Sequence, residues 1–312
     1  MIAAGAVPLS LGAVLIELRM TQWSLGPRFV VVGSISALIL AMGWLAERER
    51  EAPRPYHSTL LVAGLLPLVL ALQLLAEVLG AHRPPGSGAD FWTFAAEAAI
   101  AGAAARRANS AACTLIAALA GAVAVQALVG WVFHPHGLGT FRALLLVLTL
   151  AFAAGAVRLR DLHRRHAVQL VNAGGLMAVA LAATYNVIGL ALVPALRTPL
   201  FDANLEGPGS APFGWKLYLL AVGLGLVAYA GADREPGPAY IGLAVLVSFV
   251  LLAGVAGLGR GTLVGWPLLL LVIGAGGLVL GLRPRRPLPP EPPGPGSAGG
   301  GTVPLRAVDQ DE

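Results

Sequence analysis

The chain has 312 residues, 57% of them hydrophobic and 12% charged, with a formal net charge of +5. Soluble domains carry about 25% charged residues, so a water-soluble globule of this composition could not cover its own surface. The lone cysteine, Cys113, excludes an internal disulfide and a cysteine-based zinc site.

The apolar residues fall in runs of fifteen to twenty-three, separated by short charged or Pro/Gly-rich gaps. A membrane span needs about 20 apolar residues at 1.5 Å rise each. Hydrocarbon offers no water to backbone N–H and C=O groups, so continuous runs of this kind must be helices. The sequence therefore predicts an all-α, polytopic transmembrane helix bundle of ten spans. They are Ile2–Leu18, Phe29–Ala46, Thr59–Gly80, Phe91–Ala105, Ala111–Phe133, Phe141–Val157, Gly174–Leu196, Gly214–Gly231, Ala239–Leu258 and Leu263–Leu282. The first run contains Pro8 and stops at Glu17. It lacks the basic n-region and cleavage site of a signal peptide, and translation from Met20 would leave nine spans. The transmembrane domain is thus expected over 1–282. Residues 283–312, opening RPRRPLPPEPPGPGSAGGG, are too rich in Pro and Gly to pack and are expected to form a disordered cytoplasmic tail.

Arginine counting sets the expected sidedness. The gaps at 47–57, 106–110, 158–166 and 232–237, with the tail, hold fourteen of the twenty arginines. The alternate gaps hold six Arg and the single lysine, Lys216. Both termini are therefore expected in the cytoplasm. Trp23, Trp92, Trp131, Trp215 and Trp266 fall at outer span ends and Trp44 at an inner one, where an indole has an apolar ring and a wet N–H.

An ionisable side chain in hydrocarbon costs about 2.5–3.5 kcal/mol on insertion scales and marks a functional candidate. Glu97 stands mid-run in DFWTFAAEAAIAGAAARR, whose Ala and Gly let neighbouring helices approach closely. Gln73 and Glu77 share one face of the third span, being four residues apart. Gln126 lies in the outer half of the fifth span, and Thr184, Tyr185 and Asn186 near the middle of the seventh. Converging, these groups would line a polar cavity with Glu97 at its floor; singly, each would serve as interhelical glue. His134 and His136 form an outer-loop His-x-His without flanking Cys, Asp or Glu, which makes ordinary loop histidines the expectation over a metal site. The basic run RLRDLHRRH, with Arg158, Arg160, Arg164 and Arg165, could meet anionic lipid headgroups. Gly277 and Gly281 form a GxxxG, a common spacing among forty glycines.

Several classes drop out. No GxxxxGK(S/T), HExxH, GxSxG or CxxCH pattern occurs. The arginines sit at the ends of apolar runs, so the basic charge does not indicate nucleic acid. No cofactor is expected, and no Ser/His or His/Glu pair is expected at membrane depth, because every histidine falls in a gap.

The stretches LGPRFVVVGSISALILAMGWLAERERE and GWPLLLLVIGAGGLVLGLRPRRP resemble segments of uncharacterised bacterial polytopic membrane proteins, families that carry only domain-of-unknown-function names. The resemblance implies a bacterial cell-membrane protein and supplies no site residues. Ten spans divided five plus five would place the second half inverted relative to the first, as in several transporter folds. The expectation is therefore a small secondary transporter or permease. The alternative is a non-catalytic membrane scaffold or assembly partner of cell-envelope machinery.

Overall fold

The structure, a computed structural model, describes residues 2–19, 22–45, 55–81, 86–135, 137–185 and 211–255. These form nine helices and, among the described residues, no strand: α1 (Ile2–Arg19), α2 (Leu25–Leu45), α3 (Pro55–Val78), α4 (Ser87–Ala108), α5 (Ala111–Phe133), α6 (Leu138–Leu159), α7 (Arg164–Ala183), α8 (Phe213–Asp233) and α9 (Pro236–Val255). Seven of them, α2, α3 and α5 to α9, are long and apolar enough to cross a membrane. The apolar stretch of α1, Gly5–Glu17, is shorter. Helix α4 has 22 residues but carries Asp90, Glu97, Arg106 and Arg107. The expected tenth span, Leu263–Leu282, and the tail at 283–312 lie outside the described residues.

One expected span starts earlier than its apolar run, Gly174–Leu196: α7 begins at Arg164 and is described to Ala183, and residues 186–196 lie outside the described residues. The polar residues Arg164, Arg165, His166 and Asn172 are compatible with helix although they depress local hydropathy, and the 20-residue helix covers about 30 Å. Thr184 and Tyr185 consequently cap its end and do not lie half-way along it. Left-handed residues close three helices: Asn109, His134 and Arg234 donate their backbone N–H groups to Ala105, Gly130 and Ala230 and so satisfy terminal carbonyls.

Consecutive helices pack antiparallel, and cross-links define two ends. At the arginine-rich end, Ser110 Oγ donates to Ser58 Oγ (3.1 Å), Arg107 Nη2 to the Trp44 carbonyl (3.3 Å), and Arg160 Nη2 to Asp233 Oδ1 (2.8 Å). At the tryptophan-rich end, Arg28 pairs with Glu17, and the Phe91 and Trp131 rings stack with centroids 6.2 Å apart.

Every extensive helix–helix contact among the described residues joins a helix to the next one, or joins two odd-numbered helices separated by one. So α1, α3, α5, α7 and α9 form a continuous row of parallel helices, and each even-numbered helix fills the groove between two of them. A five-plus-five repeat would pair α6 with α8 as α1 pairs with α3, and that contact is not among the extensive ones.

The packing follows membrane rules. Small residues occupy the interior: Ala13, Ala101, Ala127, Ala173, Ala178 and Ala182 are essentially inaccessible. Large apolar side chains face outward in mid-helix, among them Val30, Leu38, Leu66, Val147, Leu150, Val247 and Val250. Water would not tolerate so much exposed hydrocarbon, whereas lipid offers no penalty and close backbone approach supplies the attraction. Gly64 illustrates that approach, since a Cβ there would sit 2.7 Å from Leu40 Cγ. The described residues form an all-helical, membrane-embedded protein.

Candidate functional site

Helix α4 differs from its neighbours in what it buries. Its inward stripe runs Asp90, Thr93, Glu97, Ala101, Ala104, Ala105 and Ala108. The spacing of three and four residues keeps these positions on one face. Over the first half of the helix that face is polar; over the second half it is alanine. The alanines share a core with Leu61 and Leu65 of α3 and Cys113 of α5.

Asp90, Thr93 and Glu97 are 1%, 2% and 3% exposed. Thr93 Oγ1 donates to the Asp90 carbonyl at 2.9 Å. One oxygen of each carboxyl group, Asp90 Oδ2 and Glu97 Oε2, is buried with no hydrogen-bond partner. Neither acid is in an ion pair among the described residues. The arginines of the same helix, Arg106 and Arg107, are exposed at its far end.

Register places the other polar groups. A Cβ on Gly121 would meet Ala98 Cβ at 3.9 Å, which sets Glu97 level with Ala122 of α5. Counting from the Ser58–Ser110 bond, Glu97 stands about 18 Å into the bundle, and Gln73 and Gln126 about 23 Å. Height therefore brings Gln73, Gln126 and Thr93 into one layer. Facing differs among them. Gln126 lies about 140° round α5 from the α4-facing Gly121. Gln73 lies about 80° round α3 from Leu65, and Glu77, half-buried, is one turn further out. Asp90 and Thr93 share the buried face of α4 with Glu97.

Tyr185 sits elsewhere. Arg142 of α6 donates through Nε to Thr184 Oγ1 and through Nη2 to the Thr184 carbonyl, both at 3.0 Å, and lies over the Tyr185 ring at 3.6 Å. This clamp fastens the end of α7 to α6, level with about residue 132 of α5, well outside the Glu97 layer. Asn186 and His136 lie outside the described residues; His134 is exposed at the end of α5. No group of three or more His, Cys, Asp or Glu suited to a metal ion occurs among the described residues.

Hydropathy alone sets several polar residues of the helices in loops. Asp90 was assigned to the gap before α4, yet the helix starts at Ser87 and draws it inside. Asp233, 6% exposed, takes Arg160 on Oδ1 and Arg164 on its backbone carbonyl, with Arg164 Nη2 also 3.8 Å from Oδ1. His57 belongs to the first turn of α3, where its Nε2 meets the Gly43 carbonyl at 2.6 Å. His166 belongs to the first turn of α7, with Nε2 at 2.8 Å from Asn109 Oδ1 and Nδ1 against the Thr114 hydroxyl. Asn172 is buried on α7 with Oδ1 unpartnered. All were missed for one reason: span ends were set where the hydropathy changed, and the helices continue past that point.

No protein-family model, curated protein or solved structure matches the chain.

Proposed function

We propose that the chain is a secondary transporter or permease of a bacterial cell membrane, with Glu97 as its ion-coupling group and the arginine-rich end in the cytoplasm. The observation that supports this reading is the pair of buried acids on α4, each with one oxygen that has no hydrogen-bond partner and neither in an ion pair among the described residues. A bare carboxylate in a dry interior costs several kcal/mol. A proton or a cation must accompany it, and a group that has to be neutralised from solution couples naturally to an ion gradient. A purely structural acid would instead be expected to spend both oxygens on neighbouring donors. The inverted-repeat argument is not part of the support, because the helix adjacency follows a different pattern.

A non-transporting scaffold is the second reading, and the exposed Arg106, Arg158, Arg165 and Arg234 at one end favour it as a basic docking face. Of the four arginines suggested for anionic headgroups, Arg158 and Arg165 stay available, while Arg160 and Arg164 hold Asp233. One experiment separates the readings. A deletion strain is profiled for altered metabolite and lipid content and complemented with wild type or Glu97→Gln. Complementation by wild type alone supports transport; equal complementation by both removes Glu97 from the mechanism.

A further inference from the structure

We infer that water or protons reach Glu97 from the tryptophan-rich end only, along Asp90 and Thr93, and that the alanine half of α4 seals the route toward the arginine-rich end. This inference rests on the reading of Glu97 as an ion-coupling group.

The face of α4 has a direction. Asp90 is in the first turn, nearest the tryptophan-rich end; Thr93 follows after three residues and Glu97 after four more. The acids are about 10 Å apart along the axis, with a hydroxyl between them. The Thr93 hydrogen is used on the Asp90 carbonyl, so its oxygen keeps lone pairs to accept from a protonated Glu97 or from water. Helical Cα–Cβ bonds tilt toward the N terminus. The Glu97 carboxyl therefore leans toward Thr93, and the Asp90 carboxyl leans outward toward the tryptophan-rich end.

That tilt argues for a proton over a shared metal cation. Two carboxyl groups that lean the same way, two turns apart, are poorly placed to hold one ion, which would need several oxygens within about 2.6 Å. A file of single oxygens suits proton exchange through water. Beyond Glu97 the same face offers nothing polar: Ala101, Ala104 and Ala108 pack with Leu61, Leu65 and Cys113. Proton movement would stop there.

The test uses the full chain in oriented vesicles. In a Cys113→Ala background, Thr93→Cys, Ala101→Cys and Ala104→Cys are each exposed to a membrane-impermeant thiosulfonate from one face and then from the other. Thr93→Cys is expected to react from the tryptophan-rich face alone, and the two alanine positions from neither. Unsubstituted protein provides a second measurement that needs no cysteine to be tolerated. A water-soluble carbodiimide with an amine, applied from each face, should modify the Glu97 peptide only from the tryptophan-rich face, and Glu97→Gln should abolish that product. Reaction from the arginine-rich face, reaction at Ala104→Cys, or no Glu97 product from either face overturns the inference. One-sided labelling without any transport phenotype would leave the path standing and sink the transporter reading; a Glu97-dependent phenotype without one-sided labelling would do the reverse.

Discussion

Asp90 and Glu97 lie within about 20° of one line along α4, both buried, each with an oxygen that no group among the described residues engages. Such a pair is stable only if something from solution neutralises it. Replacing the acid by its amide removes that requirement while keeping shape. Glu97→Gln is accordingly expected to leave the folded protein within about 1 kcal/mol of wild type. Glu97→Lys should cost several kcal/mol and abolish monodisperse expression, since it buries a long cation beside Leu and Ala. Tryptophan-fluorescence melts in detergent check both; equal stability of the two variants would show that Glu97 is not enclosed.

Arg28 is 3% exposed and engages Glu17 through Nε at 3.1 Å and through Nη2, with a further bond to the Glu17 backbone carbonyl at 3.2 Å. The pair joins the end of α1 to the start of α2. Truncating one partner strands the other charge, so Arg28→Ala or Glu17→Ala should each destabilise by about 3–5 kcal/mol. Arg28→Met with Glu17→Leu removes both charges together and should recover most of that loss. Additive losses in a double-mutant cycle would refute the pairing.

How far the sequence was legible follows from the same physics. Glu97 was readable because one charge interrupts a run of Ala and Gly. Asp90 was not: PPGSG reads as a loop, and a helix that begins four residues before Phe91 is enough to turn an apparent loop acid into a buried one. The start of helix α7 lies ten residues before the expected Gly174 because Arg164, Arg165, His166 and Asn172 look like a gap to any hydropathy window, whereas their long stems and amide tolerate helix ends. Adjacency was illegible for a different reason. These helices are apolar on all sides, so no stripe announces the packed face. Contacts are chosen by where Gly and Ala allow close approach, as at Gly64 against Leu40. Gln126 could be assigned a depth from its number, but not the direction it faces.

Asp233 ties three elements together: it ends α8, and Arg160, just after α6, and Arg164, the first residue of α7, reach it. Both arginines are more than half exposed, so the electrostatic gain is screened and Asp233→Asn should change global stability little. The clearer effect is local. Amide hydrogen exchange across residues 158–164 should accelerate while α4 is unchanged. Unaltered exchange in that turn would show that the arginines do not depend on Asp233.

Gly175 of α7 marks where α8 and α9 close on the row. A Cβ there would stand 2.6 Å from Ile241 Cγ2 and 2.9 Å from Leu226 Cδ1. Those separations are too short for real atoms, and Ile241 is branched at Cβ, so it has little freedom to turn aside. Gly175→Ala should cost about 1–3 kcal/mol by prising α7 from α9. Ile241→Ala vacates the space the new methyl needs, so the double variant should lose less than the sum of the singles, a coupling of about 1 kcal/mol. Gly102→Ala is the control, with nothing within 4 Å of the added carbon; it should be neutral or slightly stabilising, because alanine favours helix. Melting temperatures of the four proteins decide the matter: if Gly175→Ala is as harmless as Gly102→Ala, α7 and α9 are not in contact at this level.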